Sequence, residues 1–199
     1  MKIVVFVRHG ESELNVRHGL GSDLNKYPLT EKGAREASAI ADQIAKLGAV
    51  DALYSSPVLR AFQTAEIIGR RIGREPSINY NIIERFPGTA LNNAYFQSDE
   101  ERDLNYKKEI ESNYEHGMES WEKLQVRMLK FVSELKDGVT VAVSHADPIL
   151  SILGTVDPSI DDLNFNIHIS SGTMSVVDFE REKILCMGSY VAPKLANEG

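Results

Sequence analysis

Apolar residues along this chain recur with two periods, and the two alternate. Ile3, Val4, Val5, Phe6 and Val7 form an unbroken, largely β-branched run, and residues 139–143 form a second. Runs this short and apolar predict strands buried on both faces. Between them the spacing becomes helical. Ala34, Ala37, Ile40, Ala41, Ile44 and Leu47 mark one face of a helix that Thr30 caps and Gly48 stops. Leu59, Phe62, Ala65 and Ile68 mark another, whose start Ser56-Pro57 predicts, with Ser as N-cap and Pro as first helical residue. Trp121, Leu124, Met128, Phe131 and Leu135 mark a third, in which the Trp reads as core and Asp137-Gly138 as the break. A short strand at 52–55, an apolar segment ending in Glu84, a short helix reaching Leu153 and a hairpin from 173–179 and 183–187 complete the pattern. Alternating strands and helices predict an α/β fold, a three-layer sandwich with a mainly parallel central sheet flanked by helices.

Two stretches break this pattern. Residues 11–29 are a polar, glycine-containing loop, longer than a connection needs. Residues 85–116 carry a charged run and scattered aromatics (Phe86, Tyr95, Phe96, Tyr106, Tyr114) with weak periodicity. They read as an inserted lid or lobe, with a solvated helix as the equal alternative.

Composition narrows the class. The 199 residues suit a single domain over 1–199, and 42% hydrophobic with 26% charged content is ordinary for a soluble globular protein. A net charge of −7 argues against nonspecific nucleic-acid binding, while leaving room for a local basic pocket. Cys186 is the sole cysteine, so no internal disulfide forms and the thiol reads as packed. The opening apolar run is too short for a membrane span or a signal-peptide core. These features predict a cytoplasmic protein with no membrane or nucleic-acid partner, a monomer or homodimer.

The chemistry gathers at strand ends. One buried run ends in Arg8-His9-Gly10-Glu11-Ser12 and the other in Ser144-His145-Ala146-Asp147. Arg60 falls at the start of a helix leaving a third strand, where unpaired N–H groups and the helix dipole suit an anion. If the strands are parallel neighbours, Arg8, His9, Arg60, Glu84 and His145 converge on one sheet edge, where ligands bind in open α/β folds. Two arginines and two imidazoles in one cleft call for an anion, and a phosphoryl group fits them best.

These residues resemble the signature of the histidine phosphatase superfamily, the phosphoglycerate mutase-like family. The resemblance spans nearly the whole chain. Asn15 recurs at the family spacing, Pro28-Leu29-Thr30 with Gly33 resembles its helix start, and Ser55-Ser56-Pro57 with Arg60-Ala61 and Gln63-Thr64-Ala65 resembles its next block. Glu84 matches the acid after the variable segment, Gly117-Met118-Glu119-Ser120 with Arg127 resembles a later helix with one extra residue, and Val143-Ser144-His145 matches the second histidine.

The resemblance implies His9 as nucleophile, Arg8, Arg60 and His145 as phosphate clamps, and Glu84 as general acid and then base. It makes Asn15 and Ala146 candidates for phosphate contact. Arg17 is a further candidate, with a solvated arginine as the alternative. His168, between two isoleucines, reads as structural and His116 as a surface residue. The sequence lacks a His-Glu-x-x-His pair, a thiolate cluster and a P-loop ending, so no metal ligand is assigned. The substrate expected is a small phosphorylated molecule, with no cofactor. Two enzymes fit: a phosphomonoesterase, favoured by length and by the Ser55–Ala65 block, and a phosphoglycerate mutase, for which 2,3-bisphosphoglycerate would be the primer. A non-catalytic phosphate-binding module ranks below both, because nucleophile, clamp and acid are all present.

Overall fold

The computed structural model of the chain describes residues 1–164 and 167–195. Its centre is a six-stranded sheet. Strands β1 (Lys2–Arg8), β2 (Ala52–Ser55), β3 (Ser77–Ile78) and β4 (Gly138–Ser144) run parallel, and β5 (Met174–Asp178) and β6 (Lys183–Ser189) close one side as an antiparallel hairpin. The order across the sheet is β3-β2-β4-β1-β5-β6. The two continuous apolar runs are therefore neighbours at the sheet centre, each with residues pointing into both layers.

Ile3, Val5 and Val7 pack on helices α2 (Glu31–Ile44) and α3 (Leu59–Ile72), while Val4 and Phe6 pack on α5 (Trp121–Glu134) and α6 (Ala146–Gly154). Each such fully buried side chain contributes about 1.5–3 kcal/mol. That two-sided burial explains why β1 lacks alternation. The result is the three-layer α/β sandwich expected. No helix among the described residues is long and apolar enough to cross a membrane.

Local capping follows the sequence in α2 and departs from it in α3. Thr30 Oγ1 accepts from the Gly33 N–H, and a 3₁₀ turn prolongs α2 to Gly48, whose φ of 94° suits glycine. Ser56-Pro57 does not start α3. Ser56 is still in register with the sheet, donating its N–H to Val143 O, and Val58 is the cap of a helix that begins at Leu59. A tertiary bond replaces the side-chain cap: Leu59 N–H donates to Leu24 O at 2.7 Å.

The segment ahead of Glu84 is also different from a plain strand. After the two residues of β3 it becomes a 3₁₀ turn, Tyr80–Ile82. Ser144 Oγ and the Arg127 guanidinium bond the carbonyls of Ile82 and Asn81, which fixes the approach to Glu84.

The two aperiodic stretches are joined. Residues 11–29 contain a one-turn helix α1 (Glu13–Val16), and the lobe contains α4 (Asp99–Glu111). Helix α4 buries only Glu109 and Ile110, which is why it shows no apolar stripe. Polar ties hold it instead: Tyr27 Oη meets Tyr95 Oη at 2.7 Å, Leu20 pairs with Ala94, and His18 Nδ1 lies 2.9 Å from Asp99.

Candidate active site

The strand register builds the site. Arg8 pairs with Ser144 across β1 and β4, so His9 and His145 leave the sheet side by side, ring centroids 5.0 Å apart. The loop after His9 is pressed against α2. A Cβ on Gly10 would stand 2.2 Å from Gly33 O, and one on Gly33 only 1.9 Å from Glu11 O. Glycine at both positions lets the helix start reach the loop. The next block supplies the remaining bonds, with Thr64 Oγ1 accepting Gly10 N–H and Gln63 Oε1 accepting Leu29 N–H.

His9 is 2% exposed and its protonation is set by its neighbours. Nδ1 lies 2.7 Å from Gly10 O, an acceptor, so Nδ1 carries the proton. Nε2 then presents a lone pair, which accepts from Arg60 Nε at 3.0 Å. Burial, reinforced by the charges of Arg60 and Arg8, holds the His9 pKa well below the usual imidazole range. A neutral imidazole with a directed lone pair is the reactive form of a nitrogen nucleophile.

Arg60 belongs to the second residue of α3 and is 2% exposed. It also donates to Gly21 O of the long loop and stands 3.9 Å from Glu84 Oε2. Burial pushes its pKa down to about 10 against the pull of Glu84. Arg8 donates to Ile169 O, and burial lowers its pKa too.

His145 is fully buried, and burial with Arg60, His9 and Arg8 nearby keeps its pKa well below the usual range. Its Nε2 meets Ser56 Oγ at 2.8 Å, and Ser56 Oγ in turn accepts Val58 N–H. We assign Ser56 as donor to Nε2, which leaves the proton on Nδ1, 3.5 Å from Glu84 Oε2. Arg8 Nε, Arg60 Nη1 and His145 Nδ1 are buried without a hydrogen-bond partner among the described residues. Buried donors are normally satisfied. Three in one cleft mark a place shaped for an external acceptor rich in oxygen.

The other expected residues divide. Asn15 lines the cleft, and its Oδ1 already accepts from the N–H and hydroxyl of Ser12, so its amide NH₂ is the group left for an anion. Ala146 lines the cleft at the first turn of α6, where the N-cap His145 makes no side-chain cap bond. Arg17 is exposed and stands outside the cleft lining, its guanidinium over the Tyr95 ring. Trp121 and His168, read from the sequence as core and structural residues, line the cleft as well. Among the described residues no group of three or more His, Cys, Asp or Glu side chains is placed to hold a metal ion.

Glu84 is 21% exposed at the cleft. Burial raises its pKa to about 7, Asp147 adds to the rise, and Arg60, the Arg85 N–H and Arg8 oppose it. A carboxyl poised there can give and take a proton near neutral pH. Beyond it the cleft continues between α4, α6, Asp161, Asp162, Asn164 and residues 167–169. The arginines of this distal half are already engaged. Arg85 donates to Glu119 O at 2.7 Å and Asp162 at 3.1 Å, stands 3.8 Å from Asp147, and lies among the rings of Tyr106, Tyr114 and Trp121. Arg102 is bonded to Asp99 and Asp103. No pattern along the chain marks the Arg85 contacts, because the partners lie far away in sequence, Asp162 at a separation of 77.

Comparison with known proteins agrees with the fold. Residues 4–189 match the histidine phosphatase superfamily (branch 1). The 2,3-bisphosphoglycerate-dependent phosphoglycerate mutase of Thermoplasma acidophilum is 32% identical over 191 residues, 95% of this chain and 93% of that protein. Phosphoglycerate mutase-like protein 4 of Arabidopsis thaliana is 26% identical over 194 residues, 93% of this chain and 84% of that one. A phosphoserine phosphatase of Entamoeba histolytica, solved with 3-phosphoglyceric acid, superposes with a TM-score of 0.76 at 23% identity, covering 95% of this chain and 98% of that one. With the family match extending over nearly its full length, the chain belongs to the histidine phosphatase superfamily and is a phosphoryl-transfer enzyme.

Proposed function

We propose that this enzyme is a metal-independent phosphomonoesterase that acts through a phosphohistidine on a small phosphorylated metabolite. The observation that carries the reading is a neutral His9, its Nε2 lone pair 3.0 Å from Arg60, beside three buried N–H groups without hydrogen-bond partners among the described residues. In the first half-reaction His9 Nε2 bonds to phosphorus while the bond from phosphorus to the ester oxygen breaks. The electron pair leaves with that oxygen, which takes the Glu84 proton. In the second half-reaction Glu84 takes a proton from water, whose oxygen bonds to phosphorus as the P–N bond breaks. Arg8, Arg60, His145 and Asn15 meet the equatorial oxygens, and charge neutralisation by such fixed donors is the main contribution to phosphoryl transfer.

Phosphatase is favoured over mutase by the distal half of the cleft. A phosphoglycerate acceptor brings a carboxylate, which needs a second available cation. Arg85 and Arg102, the distal arginines among the described lining residues, are both paired with aspartates. The mutase reading is favoured by the relative from Thermoplasma acidophilum, and 2,3-bisphosphoglycerate would then prime His9. A cytoplasmic location belongs to the same proposal and is supported by the lone Cys186.

The test offers the enzyme an alkyl phosphate, an aryl phosphate, and 3-phosphoglycerate with catalytic 2,3-bisphosphoglycerate. Phosphate release that persists in chelator and disappears in His9→Ala supports the phosphatase. Isomerisation without release supports the mutase, and neither activity, with no acid-labile phosphoenzyme, defeats both.

A further inference from the structure

Two buried imidazoles stand 5.0 Å apart at the strand ends, and their partners leave them open in opposite ways. In His9 the Nδ1–H is spent on Gly10 O at 2.7 Å, so Nε2 offers a lone pair. In His145 it is Nε2 that is engaged, 2.8 Å from Ser56 Oγ, while Nδ1 has no hydrogen-bond partner among the described residues. The state of one ring nitrogen is set by the bond the other makes. For His9 the setting partner is a carbonyl, which only accepts. For His145 it is a hydroxyl, which can donate or accept, so the hydroxyl's own surroundings decide. Ser56 is fully buried, and its proton needs an acceptor inside the protein. Its oxygen already accepts the Val58 N–H at 3.3 Å, and His145 Nε2 is its other partner. A protonated Nε2 would leave the Ser56 hydroxyl proton buried and unmatched, which is costly. Closing a local turn explains the bond from Val58 N–H. It does not explain a hydroxyl brought to an imidazole 89 positions away. The sheet makes that approach: Ser55 pairs with Val143, and the Ser56 N–H donates to Val143 O, so Ser56 and His145 follow adjacent strands at one level.

We propose that Ser56 is a positioning residue that divides labour between the two histidines: its hydroxyl holds the His145 proton on Nδ1, which makes His145 a hydrogen-bond donor to the phosphoryl group and bars it from acting as nucleophile. This rests on the phosphohistidine reading given above. Both rings are the same tautomer, and what differs is which nitrogen the protein has already used. A carbonyl uses the N–H of His9 and leaves a lone pair for phosphorus. A hydroxyl uses the lone pair of His145 and leaves an N–H for oxygen. His145 therefore donates as a neutral ring, in keeping with the burial that holds its pKa well below the usual imidazole range.

The decisive experiment is ¹⁵N NMR of the protein labelled at its histidines, the His145 signals assigned by their loss in His145→Gln. The parent shows a pyrrole-type Nδ1 and a pyridine-type Nε2 at His145. Ser56→Ala removes the donor to Nε2, and both signals move toward intermediate values as the proton distributes over the two nitrogens. Ser56→Thr keeps the hydroxyl and the parent pattern. Inorganic phosphate, titrated by calorimetry, binds Ser56→Ala about tenfold more weakly. In kinetics, kcat/KM of Ser56→Ala falls about tenfold for an alkyl and an aryl phosphate alike, because a clamp serves every leaving group, whereas loss of a general acid falls on the alkyl ester. A proton on Nε2 of the parent, an unmoved tautomer in Ser56→Ala, or an unmoved phosphate affinity there overturns the proposal. The NMR and phosphate arms need no turnover, so an enzyme without phosphatase activity would overturn the function proposed above while these arms still decide the role of Ser56.

Discussion

Arg60 and Arg85 both line one cleft, both buried to within 2% of full enclosure, and they are held in opposite ways. Arg60 lies where strands end. Its neighbours include another arginine and two imidazoles, its Nη1 has no partner among the described residues, and burial drives its pKa down. Arg85 lies at the root of the lid. Aspartates, a carbonyl and three aromatic rings enclose it, and these contacts outweigh burial and drive its pKa up. A buried cation that keeps an unpaired donor carries a cost that a ligand relieves, whereas an ion buried among its partners is structure. On the proposed function, the contrast separates the part of the cleft that binds from the part that supports.

Removing the atom that forms the bond tests the binding end most severely. His9→Ala is expected to lower phosphate release by about 10⁴-fold or more and to abolish acid-labile labelling of the protein, read by steady-state release and by phosphoenzyme trapping. The paired arginine substitutions come next. Arg60→Met is expected to lower kcat/KM about 10²–10³-fold while the melting temperature stays level or rises, because a strained charge is gone. Arg85→Met should do the reverse, leaving Asp162 and Asp147 without their cation and costing about 3–5 kcal/mol in denaturant unfolding. Equal losses of stability in both would contradict the division drawn above.

Smaller effects probe how each end is held. Gly33→Ala must displace the Glu11 carbonyl, which its Cβ would approach to 1.9 Å, and is expected to cost about 1–3 kcal/mol in the same unfolding measurement. Glu84→Gln changes the pH dependence of stability. The carboxyl ionises near its ordinary 4.5 when unfolded and near about 7 when folded, so the fold favours its proton. That contribution is complete below about pH 4.5 and is lost as pH rises through about 7. Melting curves of Glu84→Gln and the parent should therefore diverge across that window, with the parent losing ground as pH rises. Curves that stay parallel would show that the fold does not perturb Glu84.

The two ends also differ in how far they could be read beforehand. Arg8-His9 and His145 sit directly after apolar runs, so periodicity placed them at strand ends and motif spacing placed Arg60 and Glu84 with them. The lid end offered no such grammar. Helix α4 buries only one apolar residue, Ile110, so a hydrophobic pattern had little to mark it. Trp121 keeps perfect core spacing in α5, and nothing in that spacing reveals that it also floors a cleft beside Arg85. Ser56-Pro57 misplaced the start of α3 because the bond that decides it, Leu59 to Leu24, is made by a distant loop.

The chain's linear order settled the sheet, its two helical layers and the residues that gather at the strand ends, since strand burial and contiguous motifs are properties of neighbours in sequence. Which charges are paired and which are left for a ligand was settled in space. Arg85 finds Asp162 across 77 positions and Tyr106 finds Asp147 across 41, so their partnership exists only after the lid has folded onto the sheet. Ion pairing depends on separations of a few ångström and on the exclusion of water, and neither quantity is carried by a one-dimensional pattern.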